Sequence, residues 1–505
     1  MLRPMPWKLW MLDLAREQSP TLDHLYQYAM VAQDAGYDAL GLYLEHRFAF
    51  ECTPWSHGQG CVTPAMIQNL QSEFPSLQIV PFINLLGHFE GFLYTEEGRP
   101  YREELFTGLQ ACPSNPDFIK LCQQIIDETV RVFKSDLIHI GGDETYQLGR
   151  CDKCQSRMEG QSDDPKAWLY GEHFAPLAQR VVEHGRRPGV WGDMFLEHPG
   201  ALESMPENTL IFDWQYQGGV AETSNKFPGF EVVACPALHV YNAIWMHTGL
   251  TEENVRAVAR DTHEMGLYGA ALTTWEAGLF GAFDTQFPAI KWAAEVFDNP
   301  SHEPSLIDAY GESSEWARLM GVELERLGGV FKGTKLRNQL KVRLLLYGNP
   351  FLAWMHHGTE LGGDTGMDAL AIIEKAIKVA PDEATKNASF FARSAVEAVR
   401  IMNEAHKHYA RREADAAISK LTPLRHLFDT LEKLAKQNVE RIGSSRADIE
   451  RCRAAKRHVE IVMQRIRDYG RGELGYLPAF EVLANHRFMP HDQGCWWIVN
   501  KWANE

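Results

Sequence analysis

Asp143 and Glu144 stand side by side in the stretch LIHIGGDETY, residues 137–146, behind a glycine pair and three branched apolar residues. Two carboxylates held that close raise each other's pKa, so the arrangement is costly unless the charges are used. Adjacent acids at the end of a buried run are candidates for proton transfer. Other apolar runs end in a similar way. Their polar ends are Asp13 and Arg16, Glu45 and His46, Asn84 and His88, Trp191 and Asp193, Asp213 and Trp214, Tyr241 and Asn242, and Trp275 and Glu276. All but the run ending at Asn84 carry an acid, an aromatic residue or both. Acids accept hydrogen bonds from hydroxyls and rings cover an apolar face, which is what a neutral sugar requires.

The elements that position these residues alternate over residues 1–300. KLWMLDLA reads as a strand, and TLDHLYQYAMVAQDAG as a helix with a threonine cap and a terminal glycine. ALGLYLE, LQIVPFINLL, LIHIGGDE, PGVWGDMF, TLIFDWQY, FEVVACPALHVY and YGAALTTWEA follow as strands, with helical segments between them. The strands are apolar throughout, as parallel strands covered on both faces are. Eight such units predict a (β/α)8 barrel, whose active site lies at the carboxyl ends of the strands. Residues 301–505 change character and predict an all-α domain. Ala417, Leu421, Leu424, Phe428, Leu431 and Ala435 recur at three and four, a helix-packing seam with Pro423 inside it. The tail GCWWIVNKW, with Trp496, Trp497 and Trp502, reads as core packing.

Composition sets the bounds. The chain has 505 residues, 45% hydrophobic and 23% charged, as in soluble globular proteins. A net charge of −17 argues against nucleic acid or an anionic membrane as partner. No apolar run approaches the ~20 residues that span a bilayer. The N-terminus lacks signal-peptide features, and nine scattered cysteines suit reduced thiols, so a cytoplasmic location is expected. Cys151 and Cys154 form a C-x-x-C pair. They read as loop thiols, with a disulfide, or a zinc site completed by Cys52 and Cys61, as alternatives. No cofactor and no catalytic metal are expected.

Retaining glycosidases ordinarily place two carboxylates on opposite sides of the bond, about 5 Å apart. Sequence neighbours do not easily flank a sugar in that way. They can divide the work: Glu144, the longer, protonates the glycosidic oxygen, and Asp143 holds another part of the substrate. The nucleophile then comes from elsewhere, and a 2-acetamido group on the sugar is a candidate. The hexapeptide HIGGDE resembles the signature of the family 20 glycoside hydrolases, the β-N-acetylhexosaminidases, over roughly residues 8–300.

The resemblance implies a fold and a set of roles. LDLAR is similar to the first-strand motif whose arginine binds two sugar hydroxyls, which assigns Arg16. GHFE resembles the turn after strand three, so that His88, with Glu45, forms a relay to Glu144. Trp191, Trp214 and Trp275 resemble the aromatic walls, and Tyr241 the tyrosine that orients the acetamido carbonyl. Asp193, at a strand end, joins the binding set. Asn242 and Ala243 stand where the family carries an acid, and Glu276 follows Trp275 without the usual spacer. Both departures fall where the sugar's O4 and O6 are read. The implied protein is an exo-acting retaining β-N-acetylhexosaminidase releasing terminal β-linked GalNAc or GlcNAc from a glycan or glycoconjugate, and a homodimer is possible through the helical region. A non-catalytic sugar-binding barrel and a metal-dependent barrel hydrolase are the alternative readings.

Overall fold

The computed structural model describes residues 4–16, 18–58, 60–105, 108–241, 244–276, 283–328 and 349–476. Strands β1 (Lys8–Asp13), β2 (Ala39–Tyr43), β3 (Gln78–Phe82), β4 (Leu137–His139), β5 (Arg187–Trp191), β6 (Leu210–Trp214), β7 (Glu231–Cys235) and β8 (Gly269–Thr274) close into a barrel in chain order. Every neighbouring pair is parallel, and β8 returns to β1 with Trp10 opposite Leu272. Side chains reinforce that closing seam. Trp10 Nε1 donates to Thr274 Oγ1 at 3.1 Å, and Thr274 Oγ1 donates to the Met11 carbonyl at 2.7 Å. The (β/α)8 expectation is met, and the apolar strands are buried because helices cover their outer face while side chains fill the inside.

Aromatic rings fill part of the barrel interior. His139 stacks on Phe82 at 4.4 Å and lies 4.5 Å from Trp191 and 4.7 Å from Phe212. The outer helices start where the sequence supplies caps. Thr21 caps the helix Leu22–Asp34 in a reciprocal box with His24, and Asn115 and Asp164 accept from the first turns of Pro116–Val132 and Pro165–Glu183.

The chain divides into two compact units. The first comprises Met1–Ala237, Glu253–Thr274 and Ile290–Glu303, and holds the barrel. The second comprises Leu238–Glu252, Trp275–Ala289 and Pro304–Glu505. Its described helices include Glu383–Ala410, Ala414–Ile442 and Ala447–Gly470. Ala417, Leu421, Leu424, Phe428 and Leu431 are buried, as the seam predicts, and the helix runs on through Pro423. The segment after 301 is less regular than its pattern suggests. Gly311, with a positive φ of 53°, breaks the 3-10 turn Asp308–Ser313, and short α and π turns follow up to Arg326. The tail tryptophans lie outside the described residues. No described helix is long and apolar enough to cross a membrane.

Candidate active site

Strand β4 stops at His139, and the four residues from Gly141 bend the chain so that both acids face one way. Gly141 and Gly142 have φ of 79° and 108°, and Glu144 follows with φ 48°. Only glycine takes such angles freely, and a side chain at Gly141 or Gly142 would collide with Asn84 or the Tyr170 hydroxyl. The space that side chains would take at the glycine pair is thus filled by protein. Tyr170 Oη donates to the Gly142 carbonyl at 2.7 Å, and the Gly141 amide donates to His139 Nδ1 at 3.1 Å. His139 is fully buried, and burial drives its pKa well down, so it is a neutral support for the turn. Five described non-glycine residues have positive φ, and Glu45, His88 and Glu144 are three of them. Such angles persist only where the surrounding structure enforces them, commonly at functional sites.

His88 lies against both acids. Its Nε2 is 3.2 Å from Glu144 Oε2 and 3.4 Å from Asp143 Oδ2, and its Nδ1 is 3.8 Å from Glu90 Oε1. Burial disfavours the charged imidazole, but Asp143, Glu144 and Glu90 outweigh it and carry the pKa up to about 10. Burial pushes Asp143 up to about 6, with Glu144 adding to the rise and His88 opposing it. Asp143 Oδ1 is buried and has no hydrogen-bond partner on any other described residue. Tyr146, half exposed, donates its hydroxyl to Glu144 Oε1 at 2.8 Å. Asp193 Oδ2 accepts from the Glu144 amide at 2.9 Å, and Trp214 Nε1 donates to Asp193 Oδ1 at 3.3 Å. Asp193 is pushed up to about 8, by burial first and then by Asp143.

A second group adjoins these residues. Arg16 Nη1 is 3.6 Å from both Asp13 Oδ1 and Glu45 Oε1, and its guanidinium lies over the Tyr43 ring. Glu45 is pushed up to about 8, chiefly by burial, with Arg16 opposing and Glu90 adding to the rise. The residues of the expected relay stand together: His88 meets Glu144 directly, and Glu45, which Arg16 also engages, places a carboxylate oxygen within 4.8 Å of the imidazole. Glu90 and Tyr146 were missed as site residues, although GHFE and DETY contain them.

Trp214 lies at the rim and stacks on Tyr216 at 5.2 Å. Trp191 does not form a wall. It is 1% exposed, with its ring among Phe82, His139 and Phe212, because its place on β5 directs it into the barrel core. Asp213, also at a strand end, accepts from Thr223, Ser224 and Gln215 and is a structural acid. Tyr241, Trp275 and Glu276 fall in the second unit. Burial, with Glu276 adding to it, raises the pKa of Tyr241, and Glu276 has φ 54°. Asn242 lies outside the described residues.

Two sets of ligand-type side chains gather in the barrel unit. Glu45, His88 and Glu90 form one, but Glu45 is engaged by Arg16 and His88 by the acid pair. Glu103, Cys112, Cys151 and Cys154 form the other. The suggestion that Cys52 and Cys61 complete the C-x-x-C pair is overturned. The Cys52 amide donates to Glu128, and Cys61 Sγ lies 3.9 Å from His57 Nδ1.

Residues 94–278 match the sequence model of glycosyl hydrolase family 20, catalytic domain. A β-hexosaminidase of Akkermansia muciniphila is 29% identical over 98 residues, 18% of this chain. That match spans about a fifth of the relative's length (19%). Among solved structures, a β-N-acetylhexosaminidase from Bacteroides fragilis is 18% identical, with a TM-score of 0.47 over 65% of this chain and 72% of that one. A family 20 exo β-N-acetylglucosaminidase from Vibrio harveyi is 17% identical, with a TM-score of 0.49 over 64% and 58%. The matched segment carries Asp143, Glu144, Asp193 and Trp214, and the family whose model it matches is the one that HIGGDE resembles.

Proposed function

We propose that the chain is an exo-acting retaining β-N-acetylhexosaminidase that uses the substrate's own 2-acetamido group as nucleophile. The observation that carries this reading is the placing of Asp143 and Glu144 against one imidazole nitrogen, with Asp143 Oδ1 buried and without a hydrogen-bond partner among the described residues. Acids so placed share one side of a substrate and do not flank a bond as the two-carboxylate mechanism requires.

The acetamido carbonyl oxygen attacks the anomeric carbon as its bond to the leaving oxygen breaks, and Glu144 gives that oxygen its proton. Asp143 accepts the acetamido N–H and stabilises the positive charge of the oxazolinium ion. Tyr241 donates to the carbonyl oxygen, the role its resemblance assigns. Water then adds to the anomeric carbon, giving its proton to Glu144, and the amino sugar leaves with its configuration retained. Arg16 and Trp214 bind the sugar, which is a terminal β-linked residue of a glycan or glycoconjugate.

Activity on N-acetylgalactosaminides at least equals that on N-acetylglucosaminides in this proposal. It rests on Asn242 and Ala243 standing where an acid would grip an equatorial O4. One charge-assisted hydrogen bond lost is about 1.5–3 kcal/mol, roughly ten- to hundredfold in discrimination. The test is a panel of aryl β-glycosides, gluco and galacto, with and without the acetamido group. Turnover is expected only with the acetamido group present. Equal turnover of the 2-hydroxy sugars would sink the mechanism, and absence of turnover on all four would favour a binding barrel. A gluco preference above about a hundredfold would overturn the configuration alone.

A further inference from the structure

The thiol cluster lies outside the acid pocket and has no part in the chemistry above. Cys112 Sγ is 3.5 Å from Cys151 Sγ and 3.6 Å from Cys154 Sγ, and Cys154 Sγ is 3.3 Å from Glu103 Oε2. All four ligand atoms lie within 4.8 Å of one another. A tetrahedron with Zn–S of about 2.3 Å and Zn–O of about 2.0 Å has S–S edges of about 3.8 Å and S–O edges of about 3.5 Å. The three thiols are free, and Glu103, Cys112 and Cys154 are buried. Among the described residues no lysine or arginine pairs with Glu103. A buried carboxylate among thiols is costly unless a cation joins it.

The surroundings also fit a metal. Cys151 caps the helix Asp152–Met158, and its Sγ accepts from the Cys154 amide at 3.5 Å, a turn that aims both sulfurs at one point. The Cys151 amide donates to Glu103 Oε1 at 2.9 Å, which leaves Oε2 as the ligand atom. Ser114 Oγ lies 3.0 Å from Cys154 Sγ, in place to donate to a thiolate. Outer hydrogen bonds of this kind orient ligands at metal sites. Thiolate-rich tetrahedral sets with no open position suit structural zinc.

We propose that Glu103, Cys112, Cys151 and Cys154 bind one zinc ion. The ion ties the connection after β3, which also carries His88 and Glu90, to the connection after β4, which carries Glu144 and Tyr146. It is a structural staple behind the rim. Polar contacts support the same junction: the Gln147 amide donates to Gln110 Oε1 at 3.0 Å, and Arg150 pairs with Glu104 at 2.7 Å.

The experiment is elemental analysis of the full chain purified without chelator, with free thiols counted by mass spectrometry. About one zinc per chain is expected. C112S and C154S should each lose bound zinc by roughly tenfold or more, while C52S and C61S keep it. Where a variant fails to fold, the wild-type chain exchanged with cobalt serves instead, and should show thiolate-to-cobalt charge transfer. Chelation should raise hydrogen exchange at residues 108–115 and 150–158 before it does so elsewhere. Metal-free protein with free thiols, a disulfide among the three cysteines, a different stoichiometric metal, zinc retained in the C112S/C151S/C154S variant, or cobalt without thiolate bands would each overturn the assignment.

Discussion

At the barrel rim, burial pushes Glu45, Asp143 and Asp193 up to about 8, 6 and 8. In the helical unit, Glu404, Asp429 and Glu432 are held below the usual carboxylate range, first by hydrogen bonds from Lys407, Lys456 and Lys436. Asp127, on an outer helix of the barrel, behaves like the second group because Arg180 pairs with it. The contrast is therefore between a rim and paired surface acids, and it is one of purpose. Surface pairs settle a charge that water would also have stabilised. The rim confines acids where their charge is disfavoured, and the fold must supply the stability that this costs. Backbone strain follows the same division. Glu45, His88 and Glu144 are left-handed at the rim, whereas among described residues from 304 onward only Arg412, between two helices, is a left-handed non-glycine residue. Perturbed acids and enforced strain coincide at functional sites.

The largest expected effect tests that difference directly. Glu144→Gln should lower kcat/KM about 10²–10⁴-fold on substrates with poor leaving groups and less on activated aryl glycosides, since protonation matters most for a basic leaving oxygen. Equal losses across a leaving-group series would remove Glu144 from the acid role. Asp143→Asn should cost about 10²–10³-fold and lose its dependence on the acetamido group. If Asp429→Asn altered kcat/KM as much, the division between rim and surface would fail.

Protons should act on the two regions with opposite sign. Glu45 and Asp193 are raised in the folded state, so folding binds protons that the unfolded chain has released. Their contribution is full at acid pH and is lost as pH rises from about 4 to about 8. His88 adds a loss in the same direction, as pH rises from about 6.5 through about 10. The depressed acids Asp429 and Glu432 contribute stability above about pH 4 and lose it as pH falls through their folded values. Hydrogen exchange of peptides 39–47 and 137–146 should thus report weakening protection toward alkaline pH, and peptides 414–470 toward acid pH, after correction for intrinsic rates. Slopes of the same sign would break the comparison. The smallest effect is expected for Asp429→Asn, which removes a partly exposed pair with Lys456 and should change stability by about 0.2–1 kcal/mol in denaturant titration.

Much of this protein was legible in one dimension. The alternation of apolar runs with capped helices dictates a barrel, because each strand must be buried on both faces. Which residues stand at strand ends follows from the same pattern, and so does the helical seam from Ala417 to Leu431. HIGGDE marked the acid pair because glycine conformations and carboxylate types are local properties. Other features were decided by closure of the barrel. Trp191 and Trp214 look alike in sequence, yet one fills the core and the other lines the rim, because the strand's direction and twist choose the face. His88 reaches both acids only because β3 and β4 lie side by side, which brings the loop after one against the turn after the other. Cys112 and Glu103 join Cys151 and Cys154 for the same reason, across separations of 39 and 51 residues that no local spacing rule records. A sequence specifies periodicity and backbone preference residue by residue, whereas contact between loops depends on where the whole sheet places their ends.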